Sequence, residues 1–289
     1  MVTGKSPYEL DFKQRVELAL RIATRFMVSL VDPSPLLLTS AVRHQQTPRA
    51  ALVCVYRYAN AHYVKRMIDS GAFSVVALWA LDMPHPQLAQ WTVGCGTGTR
   101  FELLNVLLAS VETDTCYLVV ADDDVLLHHG GTHTMLRACV AYGLDLAQPA
   151  HGALSRSSWP FNRFRAATLA RQTTWVEQGP LLVVSPRANR FILPFPEELG
   201  MGWGIETRWS LASEGRFTLG VIDGVRVRHC GRIGKGYEPT MMFAQADRML
   251  MEAGLNSTSD IQRVSKQWLA SEEIRRLTKN WRAADNLRA

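Results

Sequence analysis

Residues 113–130 read TDTCYLVVADDDVLLHHG, a short apolar run that ends in Asp122, Asp123 and Asp124 and is followed by a second apolar run. The first run, over 116–121, has the composition of a strand and predicts one whose carboxyl end delivers the acids. Adjacent carboxylates repel one another and make poor interior residues, but a hard divalent cation can use their oxygens and reduce that repulsion. A solvated acidic turn is the alternative. The strand before the acids, and Val125, Leu126 and Leu127 after them, argue against a turn that meets only water.

Outward from this stretch, RAALVCVYRYANAHYVKRMIDSGAFSVVALWALD (49–82) predicts strands at 53–58 and 73–79 with a short loop or helix between. Helices over 99–109 and 132–141 and a strand over 144–148 continue the alternation. Such a succession implies an α/β fold, a mainly parallel sheet covered by helices, with ligands gathered beyond strand ends. Gly94, Gly96 and Gly98 in WTVGCGTGTRFELLN (91–105) are spaced like an anion-cradling loop. A Rossmann methyltransferase would put an acid two positions before the first glycine, where this chain has Thr92. An S-adenosylmethionine-dependent methyltransferase is therefore the alternative enzyme class.

With 289 residues, 47% of them hydrophobic, the chain can bury a substantial core. Its formal charge of +6 is diffuse, and without a regular basic and aromatic repeat it does not specifically indicate nucleic acid. Cys54, Cys95, Cys116, Cys139 and Cys230 form no CxxC pair, so free thiols and a cytoplasmic, possibly membrane-peripheral, location are expected. Neither a transmembrane run nor a signal-peptide core is evident. The segment ELDFKQRVELALRIATRFMVSLVDPSP (9–35) reads as an amphipathic helix ending before Pro33. Its apolar face is expected to pack on the main domain, with a membrane surface or a partner groove as alternatives. The tail from Asn256 onward reads as helical, with Val264, Trp268, Ile274, Leu277 and Trp281 on broken apolar faces; it would cover the main domain or pair two chains.

Three motifs together resemble the nucleotide-sugar glycosyltransferases of the GT-A fold. ADDDV (121–125) resembles their Asp-rich metal motif, LGMGWGIETRW (199–209) the Gly/Trp-rich acceptor loop of inverting members, and VIDGVRVRHC (221–230) the segment that ends in a late metal ligand. The resemblance implies a Rossmann-related GT-A-like catalytic domain over 50–240, with helical extensions over 1–49 and 241–289, the latter packed on the catalytic domain. It implies Mn²⁺ or Mg²⁺ held by Asp124 and His229, with Asp122 reaching the metal or the ribose and Asp123 also on the donor side. Arg100, beside Asn105 on the helix after the glycines, lies where members meet the diphosphate, and Asp82 where an acid reads the base. Glu206 takes the place of the general base, although many relatives carry a second acid where this chain has Thr207; local pairing of Glu206 with Arg208 is the bland alternative. Trp203 and Gly204 fall in the acceptor loop, and Trp159 and Trp175 are further stacking candidates. Arg232, Lys235 and Tyr237, in GRIGKGYEP (231–239), could close over donor phosphate or belong to an ordinary exposed loop. The implied partners are a nucleoside-diphosphate sugar and a hydroxyl-bearing acceptor; peripheral membrane contact or a homo-oligomer stays open. A noncatalytic carbohydrate-binding protein is the nonenzyme alternative.

Overall fold

The computed structural model describes residues 12–71, 73–157, 159–231 and 239–286. Four segments set the centre of the sheet: β1 (Ala50–Tyr56), β2 (Val75–Ala80), β3 (Thr92–Cys95) and β4 (Tyr117–Ala121), which lie side by side in the order β4-β1-β2-β3 and run parallel. The first five residues of β1, Ala50 to Cys54, are wholly inaccessible to solvent, which explains why β1 reads as a continuous apolar run rather than an alternating one. Beyond β4 the order continues through β8 (Leu181–Val184), β6 (Leu146–His151), β9 (Leu219–His229), β7 (Thr168–Thr173) and β10 (Val264–Leu269). Strands β6, β9 and β10 point the same way as the central four, while β7 and β8 are reversed, so the sheet is mainly parallel, as expected. A short ribbon strand, β5 (Val125–His129), pairs antiparallel with the far end of β9.

Alternate residues of the strands serve opposite layers. Val53, Val120 and Leu182 pack with α4 (Arg100–Leu108), α6 (Pro186–Ile192), α7 (Ile205–Ser213) and Met249 of α8 (Pro239–Glu252) on one face. Leu52, Val119 and Val183 pack on the other face against residues of α2 (Ser34–Ala41), α3 (Ala61–Ser70) and α5 (Gly131–Tyr142). The chain passes from β1 through α3 to β2 on one side, then from β3 through α4 to β4 on the other. Strand order therefore reverses at β1, and the crevice outside the carboxyl ends of β1 and β4 is a topological switch point. The acidic triplet follows β4 there.

The carboxyl-terminal region is not all helical. Val264 and Trp268 lie in β10, antiparallel to β7, with Trp268 stacked on Tyr142 at 4.6 Å; only α9 (Ala270–Asn286) after it is helical. A period-2 pattern of Val264, Lys266 and Trp268 suits the sheet edge, and pairing with β7 overrides the helix-forming composition around it. The amino-terminal helix α1 (Phe12–Val31) also departs from expectation: its apolar side chains Leu20, Met27 and Leu30 are more than 60% exposed, while Arg25 and Ser29 are sheltered.

Where β9 bends, Asp223 is fully buried and receives Arg171 of β7 through two hydrogen bonds, Nε to Oδ2 at 2.8 Å and Nη2 to Oδ1 at 3.1 Å. Removing one partner of a buried, hydrogen-bonded pair leaves the other charge uncompensated. Asp223→Ala is thus expected to cost about 3–5 kcal/mol of unfolding free energy in denaturant titration. A loss under about 1 kcal/mol, typical of an exposed pair, would show that Arg171 finds another counterion.

Candidate active site

Each acid of the triplet meets a different basic side chain from a different element, and Arg57 Nη2 also lies 3.8 Å from Asp124 Oδ2. Asp123 is buried and accepts the Arg57 backbone N–H and Nε, both at 2.8 Å, and also its Nη2; Arg57 is the first residue after β1. This hydrogen bond is the chief reason the Arg57 guanidinium is held more firmly protonated than usual. Asp122 Oδ1 accepts Arg100 Nε at 3.1 Å, and Arg100 Nη1 donates to Gln178 Oε1 at 2.6 Å. Thr99 and Glu102 form a capping box that starts α4 and sets Arg100 at its first turn. Burial pushes the Asp122 carboxyl up, with Arg100 opposing. Asp124 Oδ1 lies 3.2 Å from His229 Nε2. Burial is the largest single influence, raising Asp124 and lowering His229, but their mutual hydrogen bond and the neighbouring charges together outweigh it, so Asp124 sits below and His229 above their usual ranges.

The facing wall comes from 175–180 and the start of α7. Gly202 and Gly204 both have positive φ, +87° and +89°; a Cβ at Gly202 would strike the Phe101 ring at 2.3 Å and one at Gly204 would meet Ala246 Cα at 2.8 Å. These contacts require glycine and fix the turn that presents Glu206 one residue inside α7. Its Oε1 accepts the Gln178 backbone N–H at 3.2 Å, and burial pushes its carboxyl up to about 7. Arg208 instead faces Glu198 at 3.3 Å, so the local pairing alternative does not form. Trp203 meets Phe243 edge to face at 5.2 Å.

A second carboxylate, Glu177, went unnoticed in the sequence. Its Oε2 lies 3.2 Å from His151 Nε2 and accepts Asn162 Nδ2 at 3.1 Å. His151 Nδ1 lies 2.8 Å from Ser155 Oγ, which also accepts the His229 backbone N–H at 2.9 Å. A hydrogen-bonded chain thus joins the acceptor-side wall to His229. The only local signal was an isolated acid in TTWVEQGP, which pattern reasoning has no reason to select.

These walls enclose a cavity of about 1590 Å³, above the usual 300–1,000 Å³ of small-ligand pockets and large enough for two substrates. Arg57, Arg100, Asp122, Asp123, Asp124 and His229 line one part of it; Glu177, Trp203, Gly204 and Glu206 line another. Asp82 does not line it: its carboxylate is exposed, beyond β2, and accepts the backbone N–H groups of Tyr58 and Met83. Asn105 brackets the Phe195 backbone, at 2.8 and 2.9 Å, and is likewise away from the cavity. Arg232, Lys235 and Tyr237 lie outside the described residues. Trp159 and Trp175 are cavity residues that also pack edge to face on each other at 5.5 Å. The opening glycines have packing duties: a Cβ at Gly94 would strike Trp79 at 2.4 Å, and one at Gly98 would meet Leu103 at 2.9 Å.

Among the described residues, no three His, Cys, Asp or Glu side chains converge as a ready-made metal site. The Asp124 and His229 pair nevertheless offers one oxygen and one imidazole nitrogen, a donor set suited to Mn²⁺ and adequate for Mg²⁺, cations that complete their shells with water and phosphate oxygens. Two buried donors in the cavity wall, Arg100 Nη2 and Trp175 Nε1, make no hydrogen bond, although Arg100 Nη2 is 3.0 Å from Asp122 Oδ1. Buried donors of this kind are normally satisfied, by protein, water or a bound oxygen.

No protein-family model matches the sequence, and no curated protein matches it. Solved structures share its fold. A crystal structure of GalNAc-T7 with UDP, GalNAc and Mn²⁺ aligns with a TM-score of 0.52 at 10% identity, over 71% of this chain and 48% of that one. Crystal structures of S. aureus TarS align with a TM-score of 0.49 at 11% identity, over 78% of this chain and 41% of that one, and, for residues 1–349 with UDP-GlcNAc, 0.47 at 10% identity, over 78% and 69%. The chain thus spans about half the length of GalNAc-T7. The fold is the GT-A fold of nucleotide-sugar glycosyltransferases.

The raised Glu206 carboxyl has a stability consequence with a definite sign. Between its ordinary 4.5 and about 7, the folded chain keeps the proton that the unfolded chain releases. Stability from this group is thus fully present below 4.5 and lost as pH rises to about 7. Glu206→Gln removes the titration, so its stability relative to wild type is expected to rise across that window by up to about 3 kcal/mol and stay level above it. A difference independent of pH would mean that Glu206 titrates like an exposed carboxylate.

Proposed function

We propose that this protein transfers a sugar from a nucleoside-diphosphate sugar to a hydroxyl acceptor, with Mn²⁺ or Mg²⁺ held by Asp124 and His229 and inversion at the anomeric carbon. One observation carries the reading: a single cavity sets the cation-paired acidic triplet at a switch point against a buried carboxyl poised near neutral pH. The GT-A fold and the UDP, GalNAc and Mn²⁺ in the GalNAc-T7 structure support it.

On the donor side, Arg100 Nη2 meets a diphosphate oxygen, and Asp122 keeps the guanidinium oriented for it. When bound, the cation supplies positive charge against the leaving diphosphate. Asp123 holds Arg57 beside the donor, and Asp122 reaches the metal or the ribose with the oxygen that Arg100 leaves free. On the acceptor side, Trp203 stacks against the acceptor and Gly204 holds the turn beside it against α8. With Oε1 occupied by the Gln178 amide, Glu206 takes the acceptor's proton on Oε2. Removal of that proton while the acceptor attacks opposite the leaving group requires inversion.

Three measurements test this. Calorimetry with UDP, GDP and dTDP is expected to show binding strengthened by Mn²⁺ or Mg²⁺ for at least one, and Asp124→Asn to weaken it by roughly tenfold or more, since even residues that support a metal ligand carry that much. Metal-independent binding of S-adenosylmethionine with no nucleotide response would sink the reading in favour of a methyltransferase. Glu206→Gln is expected to keep nucleotide affinity and lose roughly 10²- to 10⁴-fold in turnover, while the wild-type rate climbs as pH rises through about 7. NMR of the product from an α-linked donor is expected to show a β linkage; an α linkage would reject inversion while leaving sugar transfer standing.

A further inference from the structure

Helix α1 docks on the body by its polar side. Its sheltered positions, Arg25 and Ser29, lie one turn apart, and Asp32 continues the stripe just past the helix end. Arg226 of β9, 1% exposed, donates to Ser29 Oγ at 2.9 Å and pairs with Asp32, whose Oδ1 also accepts the Ala167 backbone N–H at 3.0 Å. This buried polar seam holds the helix in place. The opposite half of the helix carries Val16, Leu20, Phe26, Met27, Leu30 and Val31, between 41% and 78% exposed. Leu36, at the start of α2, extends the patch at 79% exposed. Contiguous apolar surface of this kind on a folded chain marks an interaction face.

Charge identifies what covers it. Apart from Arg25 on the docked side, the helix sequence carries Lys13, Arg15 and Arg21 against Glu17, within a chain of net charge +6. A second copy would bring two like-charged helices together, and the apolar arc spans roughly 140° of the helix circumference at 3.6 residues per turn, wider than the narrow stripe a helix pair needs. An anionic bilayer complements both features. No helix among the described residues is long and apolar enough to cross a membrane, so α1 lies in the interface plane. We propose that α1 is an in-plane anchor: its outward apolar face enters the headgroup boundary of an anionic lipid surface while the Arg25, Ser29 and Asp32 stripe stays bound to the body.

Flotation of the full chain with vesicles tests this without reference to any enzymatic activity. Wild type is expected to float with phosphatidylcholine vesicles containing phosphatidylglycerol and more weakly with phosphatidylcholine alone, and to be released by added salt. The double variant Leu20→Glu and Met27→Glu, at positions about 60% exposed, is expected to keep its thermal midpoint and lose bound fraction by roughly tenfold. Arg21→Glu, which leaves the apolar face intact, is expected to reduce the preference for anionic vesicles. Wild type that stays in the dense fraction with both vesicles would overturn the proposal, as would equal flotation of the double variant. A wild-type dimer that the double variant converts to monomer, with no flotation of either, would assign the face to a second copy instead.

Discussion

Carboxylates on successive residues at the buried end of a strand repel one another, and the site depends on how that repulsion is relieved. Asp122, Asp123 and Asp124 do not share one counterion. Arg100 comes from the first turn of α4, Arg57 from the end of β1 and His229 from the end of β9. The triplet therefore works as a fastener: three elements remote in sequence meet at the mouth of the crevice between β1 and β4, each bringing a basic side chain to one of the acids. A neutral residue at Asp122 would release α4 and leave the largely buried Arg100 guanidinium without its carboxylate.

The opposite wall follows a different principle. Among the described residues Glu206 has no cationic partner; backbone N–H groups, that of Gln178 among them, face its carboxylate, and desolvation outweighs them, raising its carboxyl toward neutrality. Glu177 is tied to His151, Ser155 and through it to the backbone of His229. One cavity thus contains carboxylates paired with basic side chains and one whose basicity comes from desolvation. Environments that differ in this way let identical functional groups take different roles.

Much of this arrangement was legible in the amino-acid order, and the rest was hidden for identifiable reasons. Buried parallel strands announce themselves as unbroken apolar runs, so β1, β2 and β4 were readable, and the acids at the end of β4 fell where a sheet gathers ligands. Glycines 202 and 204 marked a tight turn before Glu206. Arg57 and Glu177 were not legible, because their importance comes from partners 66 and 26 residues away, and a single arginine or glutamate has no pattern of its own. The same holds for Asn105, which looked like a donor-side residue and instead brackets the backbone at Phe195. Strand β10 was obscured by helix-forming neighbours, and the orientation of α1 by the assumption that an apolar face turns inward. A buried Arg226 on β9 decides that orientation, and no property of the helix sequence alone reveals it.

Strands β5 and β9 meet with Val125 opposite His229 and Leu126 opposite Arg228, and the Cys230 amide closes the ladder on the Asp124 carbonyl at 3.0 Å. Side chains in such a ribbon alternate between faces, so a slip of one residue would bring Arg228 opposite Val125 and carry His229 to the other face of the ribbon. The spacing of the carboxylate and the imidazole is accordingly a matter of counting along a hydrogen-bond ladder, settled when the two strands zip. A one-residue deletion or insertion in this ribbon that is not absorbed as a bulge would put Arg228 or Cys230 where His229 now faces Val125, changing the donor offered at the mouth of the crevice.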